Sequence, residues 1–144
     1  MGLRRKSREL ALQLLFSLDM QGEMASFSEE QEQKIAHFCE QFDVSPQALP
    51  YAKLLAQGVC QHLGTIDPLL AEYSQHWRVE RMSIVDRNIL RIAAYELERA
   101  LDVPAQVVIN EALEIAKRYS IGDSVSFING ILDAMQKKLR LPMF

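Results

Sequence analysis

The sequence predicts an all-α fold of about seven helices, divided into an N-terminal and a C-terminal bundle. Three observations predict it. Apolar residues recur at steps of three and four along most of the 144-residue chain. Short stretches rich in glycine, proline and serine divide these periodic segments. No segment alternates between hairpin turns; Val107-Val108-Ile109 is β-branched but sits inside a longer helical period. The length suits one domain with a real core. The polar connection from Arg78 to Met82 divides that domain, 1–144, into an N-terminal helical subdomain of about 1–78 and a C-terminal one of about 79–144.

The first helix is expected from Leu3 or Arg4 to Met20, with Leu10, Ala11, Leu14, Leu15 and Leu18 as its apolar stripe. Arg4 and Arg8 project along that stripe, and two guanidinium groups cannot stay unpaired in a core. The core is therefore expected to end near Leu10, leaving the first two turns to overhang as a basic end open to phosphates. Gln21 to Ser28 reads as a linker. Ser28 and Gln31 have capping-box spacing for a helix to about Phe42. Asp43 to Pro50 is a break. A third helix follows from about Ala48 to Leu63, in which Gly58 suits a close helix contact. Gly64 and Thr65 interrupt it, and Asp67-Pro68 starts a fourth helix through Tyr73 to Trp77.

Ser83 and Asp86 then have the spacing of a capping box at the start of a fifth helix. Its apolar surface is wide, which places it centrally. Glu96 lies in the middle of that surface and needs a hydrogen-bond partner, such as Asn110 or a backbone group.

Val103 to Met135 reads as a helical hairpin. Pro104 fits a first turn, and Val108, Ala112, Ile115 and Tyr119 line one face. Gly122 suits a left-handed stop, and Asp123 suits the cap of the last helix. Phe127 lies at the rim of the second apolar arc, one turn beyond Asp123 on the same side. An aromatic ring at such a rim can stack on a base instead of filling a core.

Composition narrows the function. The net charge of −3 argues against an indiscriminate nucleic-acid binder. Charge is nevertheless uneven: Arg4, Arg5, Lys6 and Arg8 crowd the start, and Lys117, Arg118, Lys137, Lys138 and Arg140 form a looser second set. Cys39 and Cys60 lack C-x-x-C spacing, so neither a zinc site nor a thiol-redox motif is supported, and a reduced, cytoplasmic setting is expected. No apolar run is long enough for a membrane span, and the start lacks the pattern of a signal peptide. The sequence holds no glycine-rich phosphate loop, nucleophile elbow, H-e-x-x-H or paired Cys/His set. These features point to a binding protein rather than an enzyme.

Three blocks carry a family resemblance: RRKSRELALQLLFSLD at the start, DRNILRIAAYEL in the middle, and VPAQVVINEALEIAKRYS followed by DSVSFINGILD. Their order and content resemble the NusB family of transcription antitermination factors, over about half the chain. The resemblance implies two small three-helix-type bundles packed together, the second interrupted by a further helix, with no catalysed reaction and no cofactor or metal. It implies binding of boxA-type single-stranded RNA from ribosomal RNA leaders. It also implies pairing with the ribosomal protein NusE, within an antitermination complex of RNA polymerase and other Nus factors. Carried over residue by residue, it makes Arg4, Arg5, Lys6 and Arg8 phosphate contacts. Phe16 stands where many members have tyrosine, and it and Tyr73 become stacking residues. Arg91 becomes a further phosphate contact, Asp123 and Phe127 the RNA-facing elbow, and Asp86 a contact with NusE. The short arm and acidic net charge depart from the family pattern and imply modest affinity for RNA alone. The alternatives are a helical protein-interaction module, or a homodimer that masks the RNA surface without intrinsic RNA specificity.

Overall fold

A computed structural model describes residues 2–24, 29–41, 44–75 and 77–140. Seven α-helices make the fold, and no strand occurs among the described residues: α1 Leu3–Met20, α2 Glu29–Gln41, α3 Leu49–Gln61, α4 Leu63–Ser74, α5 Ile84–Arg99, α6 Ala105–Tyr119 and α7 Ser124–Leu139. Short 3-10 turns at Pro46–Ala48 and Val79–Arg81 precede α3 and α5. The capping pair Ser28 and Gln31, with Phe42 and Asp43, lies outside the residues whose side chains are described.

The fifth helix is the hub, packing against α1, α3, α4, α6 and α7. Leu90, Ala94 and Leu97 are fully buried on it, as its wide apolar surface requires. Its N-terminus is closed as the sequence indicates, with the Asp86 amide donating to Ser83 Oγ at 3.0 Å. Its C-terminal end is tied down by Arg140, whose guanidinium donates to the carbonyls of Glu96, Leu97, Ala100 and Val103 at 2.7–3.1 Å. The Glu96 and Ala100 carbonyls also accept the Ala100 and Val103 amides.

The structure corrects the reading of α1. Its first turns do not overhang. Ser7 and Arg8 are buried, and Ser7 Oγ donates to the Ala48 carbonyl at 2.8 Å. Arg8 tolerates burial because Glu96 meets it: Nε donates to Oε1 and Nη2 to Oε2, both at 2.8 Å. The Tyr51 hydroxyl donates to Glu96 Oε2 at 2.6 Å. The carboxylate partner is thus an arginine and a tyrosine rather than Asn110, which instead accepts a bond from Gln106.

The boundary between α3 and α4 also moves. Gly64 and Thr65 lie inside α4, and Pro68 sits in the interior of that helix instead of at its first turn. Pro68 has no amide hydrogen to offer the turn before it, a local cost that the packing of Ile66 and Leu70 in the core outweighs. Helix α4 ends at Ser74, before Trp77, at a turn where Gln75 takes φ 54°. Gly58 meets its expected use, since the Tyr95 ring occupies the space a Cβ would fill.

Candidate RNA interface

The elbow between α6 and α7 is positioned by one carboxylate. Asp86 accepts the Ser120 hydroxyl on Oδ1 at 2.6 Å and the Ser124 hydroxyl on Oδ2 at 2.7 Å. Ser124 Oγ also lies 2.9 Å from the Ile121 carbonyl. Gly122 takes φ +65°, as the turn demands. Asp123 occupies the N-cap position of α7, but its side chain makes no capping bond and stands exposed. That corrects the expected capping role and leaves the carboxylate free to face solvent.

Beside the elbow lies a groove of about 360 Å³, lined by Trp77, Arg81, Met82, Asp123 and Phe127 among others. Trp77 and Phe127 meet edge to face, with ring centroids 6.2 Å apart and planes at 74°. Phe127 is half-buried and packs against the core, whereas Trp77 is 56% exposed. Trp77 is held at its backbone, its carbonyl accepting the Ser74 hydroxyl and its amide donating to the Ser74 carbonyl. Arg81, on the 3-10 turn before α5, is exposed and enters no ion pair among the described residues.

A second groove opens on the other side of the α5 N-terminus. Phe16, Leu12, Phe38, Val85 and Tyr119 line it. Phe16 is therefore a partly exposed aromatic at a surface, close to the last turn of α6. Arg118 there donates to Glu9 at 3.0 Å.

The remaining sequence-derived site residues separate into exposed and committed ones. Arg4 is exposed and lies over the Tyr51 ring at 3.8 Å. Lys6 is exposed; Arg5 is partly so and donates to Glu111 at 2.6 Å. Tyr73 is half-buried, with the Lys138 ammonium 5.8 Å from its ring centre. Two assignments are corrected, and a third residue is engaged inside the fold. Arg8 is 3% exposed and bound to Glu96, so it is an interior ion-pair partner instead of a phosphate contact. Arg91 is buried between Asp67 and Asp19, at 2.8 and 2.9 Å, and serves the same structural purpose. Asp86 is buried, and each of its oxygens accepts the hydroxyl of an elbow serine, so its carboxylate holds the elbow from within.

Electrostatics agree with these commitments. Burial alone would lower the Arg8 and Arg91 pKa values, but the carboxylates of Glu96 and of Asp67 and Asp19 outweigh it and raise both. Burial would raise the Asp19 pKa; hydrogen bonds from Arg87 and Asn88 and the charge of Arg91 lower it instead. Burial first, and then the bond to Glu96, push the Tyr51 phenol upward, so it stays a donor.

The basic start and the elbow are not one patch. Arg8 meets α5 at Glu96, and the elbow meets it at Asp86. Ten residues of helix separate those contacts, about 15 Å along the axis. Arg8 and the groove that holds Phe127 therefore meet opposite ends of α5. Two exposed members of the groove, Trp77 and Arg81, are missing from the sequence-derived site residues, whereas Asp123 is among them. Trp77 reads as the end of a helix, although a lone tryptophan followed closely by Arg78 and Arg81 was the available signal.

Comparison with known proteins accounts for the arrangement of helices and elbow. Residues 5–137 match the model of the NusB family. The chain belongs to the NusB family. The transcription antitermination protein NusB of Desulfosudis oleivorans is 46% identical over 143 residues, covering 96% of this chain and 88% of that protein. T. maritima NusB superposes with a TM-score of 0.81 at 36% identity, covering 94% of this chain and 91% of that one. A crystal structure of antitermination factors NusB and NusE in complex with double-stranded RNA contains a chain that matches with a TM-score of 0.77 at 26% identity, over 96% of this chain and 98% of that one. The all-α, seven-helix NusB fold expected from the sequence is the fold found. No described helix is long and apolar enough to cross a membrane.

Proposed function

We propose that this NusB-family chain is a transcription antitermination factor that binds boxA-type RNA of ribosomal RNA leaders together with NusE. In that role it promotes read-through by RNA polymerase within a complex of Nus factors. The observation that carries the proposal is the elbow groove. It combines exposed aromatic surface, an uncommitted carboxylate at Asp123 and an exposed guanidinium at Arg81. Aromatic faces bind unstacked bases, and cations bind phosphates, so a single strand suits this surface better than a duplex. Base edges carry the sequence selectivity; phosphate contacts fix register.

On this reading Asp123 and Phe127 belong to the base-facing elbow, with Phe16 on the neighbouring groove. Arg4, Arg5 and Lys6 are outlying cations toward the far end of α5, reached by RNA extending past the elbow. The acidic net charge keeps affinity for isolated RNA modest, so NusE contributes to capture. The test is RNA binding with and without NusE, on a boxA-like strand and a scrambled strand. Preference for the boxA-like strand, sharpened by NusE, is expected; equal affinity for both strands in the presence of NusE overturns the proposal.

A further inference from the structure

We infer that Trp77 is the stacking platform of the elbow groove, with Phe127 as its support and Arg81 as the phosphate clamp of the same nucleotide. The inference rests on the RNA-binding reading and assigns its occupant: one unstacked base of a single-stranded RNA. Phe127 was the aromatic that the sequence singled out, but its ring is half-buried and packed on the core. A ring so placed has little free face to give. Trp77 presents the larger ring and is 56% exposed.

The position of Trp77 is built. Helix α4 stops at Ser74, Gln75 takes a φ of 54° that non-glycine residues rarely adopt, and Ser74 is bonded to both the amide and the carbonyl of Trp77. The edge-on contact with Phe127 at 6.2 Å then limits how the indole tilts. An exposed indole with a pinned backbone and one edge against Phe127 loses less freedom when a base stacks on it than a free side chain does.

The groove's charges fit a nucleotide. Asp123 is exposed and its side chain makes no capping bond. An ionised carboxylate only accepts hydrogen bonds, so it favours a base edge that carries an amino group. Arg81 lines the same groove and supplies donors for a phosphate. The second acid, Asp86, is buried and already accepts one serine hydroxyl on each oxygen, whereas Asp123 has neither engagement.

Trp77 is the single tryptophan of the chain, so the unmodified protein reports on its own site. Binding of a labelled boxA-like single strand is followed by anisotropy, while tryptophan emission is recorded in the same titration of the full chain. Emission is expected to be quenched in step with binding, and Trp77→Ala to weaken binding roughly 10- to 100-fold, with Trp77→Phe recovering most of the loss. RNA binding with unchanged emission and an unaffected Trp77→Ala variant overturns the platform while leaving the RNA reading intact. Absence of RNA binding by anisotropy, with and without a tryptophan-free NusE, overturns both. An emission change produced by that NusE alone, to which RNA adds nothing, makes Trp77 a protein contact and overturns the platform.

Discussion

Arg8 and Glu96 form a two-pronged ion pair in the interior, 88 positions apart in sequence, with both bonds at 2.8 Å. The pair joins the start of α1 to the C-terminal half of α5, and Tyr51 on α3 completes it. Removing one partner leaves an uncompensated charge. Arg8→Ala or Glu96→Ala is therefore expected to cost about 3–5 kcal/mol in urea unfolding. The triple replacement Arg8→Met, Tyr51→Phe, Glu96→Leu is expected to recover most of that loss, since apolar packing replaces the network without orphaned groups. The folded triple variant also retains the wild-type salt dependence of RNA binding. Loss of Arg4 and Lys6, by contrast, is expected to flatten the slope by about 0.7 for each phosphate contact removed.

Asp86 is expected to act on RNA through the elbow. Asp86→Ala removes the acceptor of two serine hydroxyls, at an expected cost of about 1–3 kcal/mol. Backbone amides from Tyr119 to Ser124 should then exchange faster with deuterium, and RNA affinity should fall in parallel. Asn at this position keeps one acceptor oxygen and is expected to be intermediate. Reduced NusE affinity with unaltered exchange would return Asp86 to a direct partner contact.

Asp19 ties stability to acid. Its pKa is lowered in the folded chain from an ordinary 3.8, burial being outweighed by Arg87, Asn88 and Arg91. The unfolded chain therefore takes up the proton first as pH falls. The contribution of Asp19 is fully present above about pH 4, and it is lost as pH drops through the lowered folded value. A thermal midpoint series across pH 2–5 should show this loss, and Asp19→Asn should flatten it.

Gly58→Ala tests the α3–α5 contact. The added methyl meets the Tyr95 ring, which is held by its neighbours and stacks with His62 at 6.1 Å. A loss of about 1–3 kcal/mol is expected from overpacking. Pairing it with Tyr95→Leu should restore part of the stability, measured by the same urea unfolding.

Much of the fold was legible because helical periodicity is local. Ser83 as a cap, Gly122 as a left-handed stop, and α5 as the central helix all follow from short-range rules that the structure obeys. The misreadings share a cause. Arg8 was sent out to solvent and Glu96 toward Asn110, because neither residue's wheel position names a partner on another helix. The family resemblance makes Arg91 a phosphate contact, and it too leaves out the partners that packing supplies, Asp19 and Asp67. The α4 boundary failed where Pro68 signalled a start that core packing overrode.

The sequence by itself determined that this chain is helical, where most helices lie, and, through three ordered blocks, which family it resembles. These depend on spacing within a few residues and on the identity of contiguous segments. Only the tertiary structure decided which cations are free, that Asp86 faces inward to Ser120 and Ser124, and that Trp77 stands beside Phe127. The physical reason is that burial and charge pairing depend on which helix lies opposite, and a carboxylate brought there by long-range packing turns a surface arginine into a core residue.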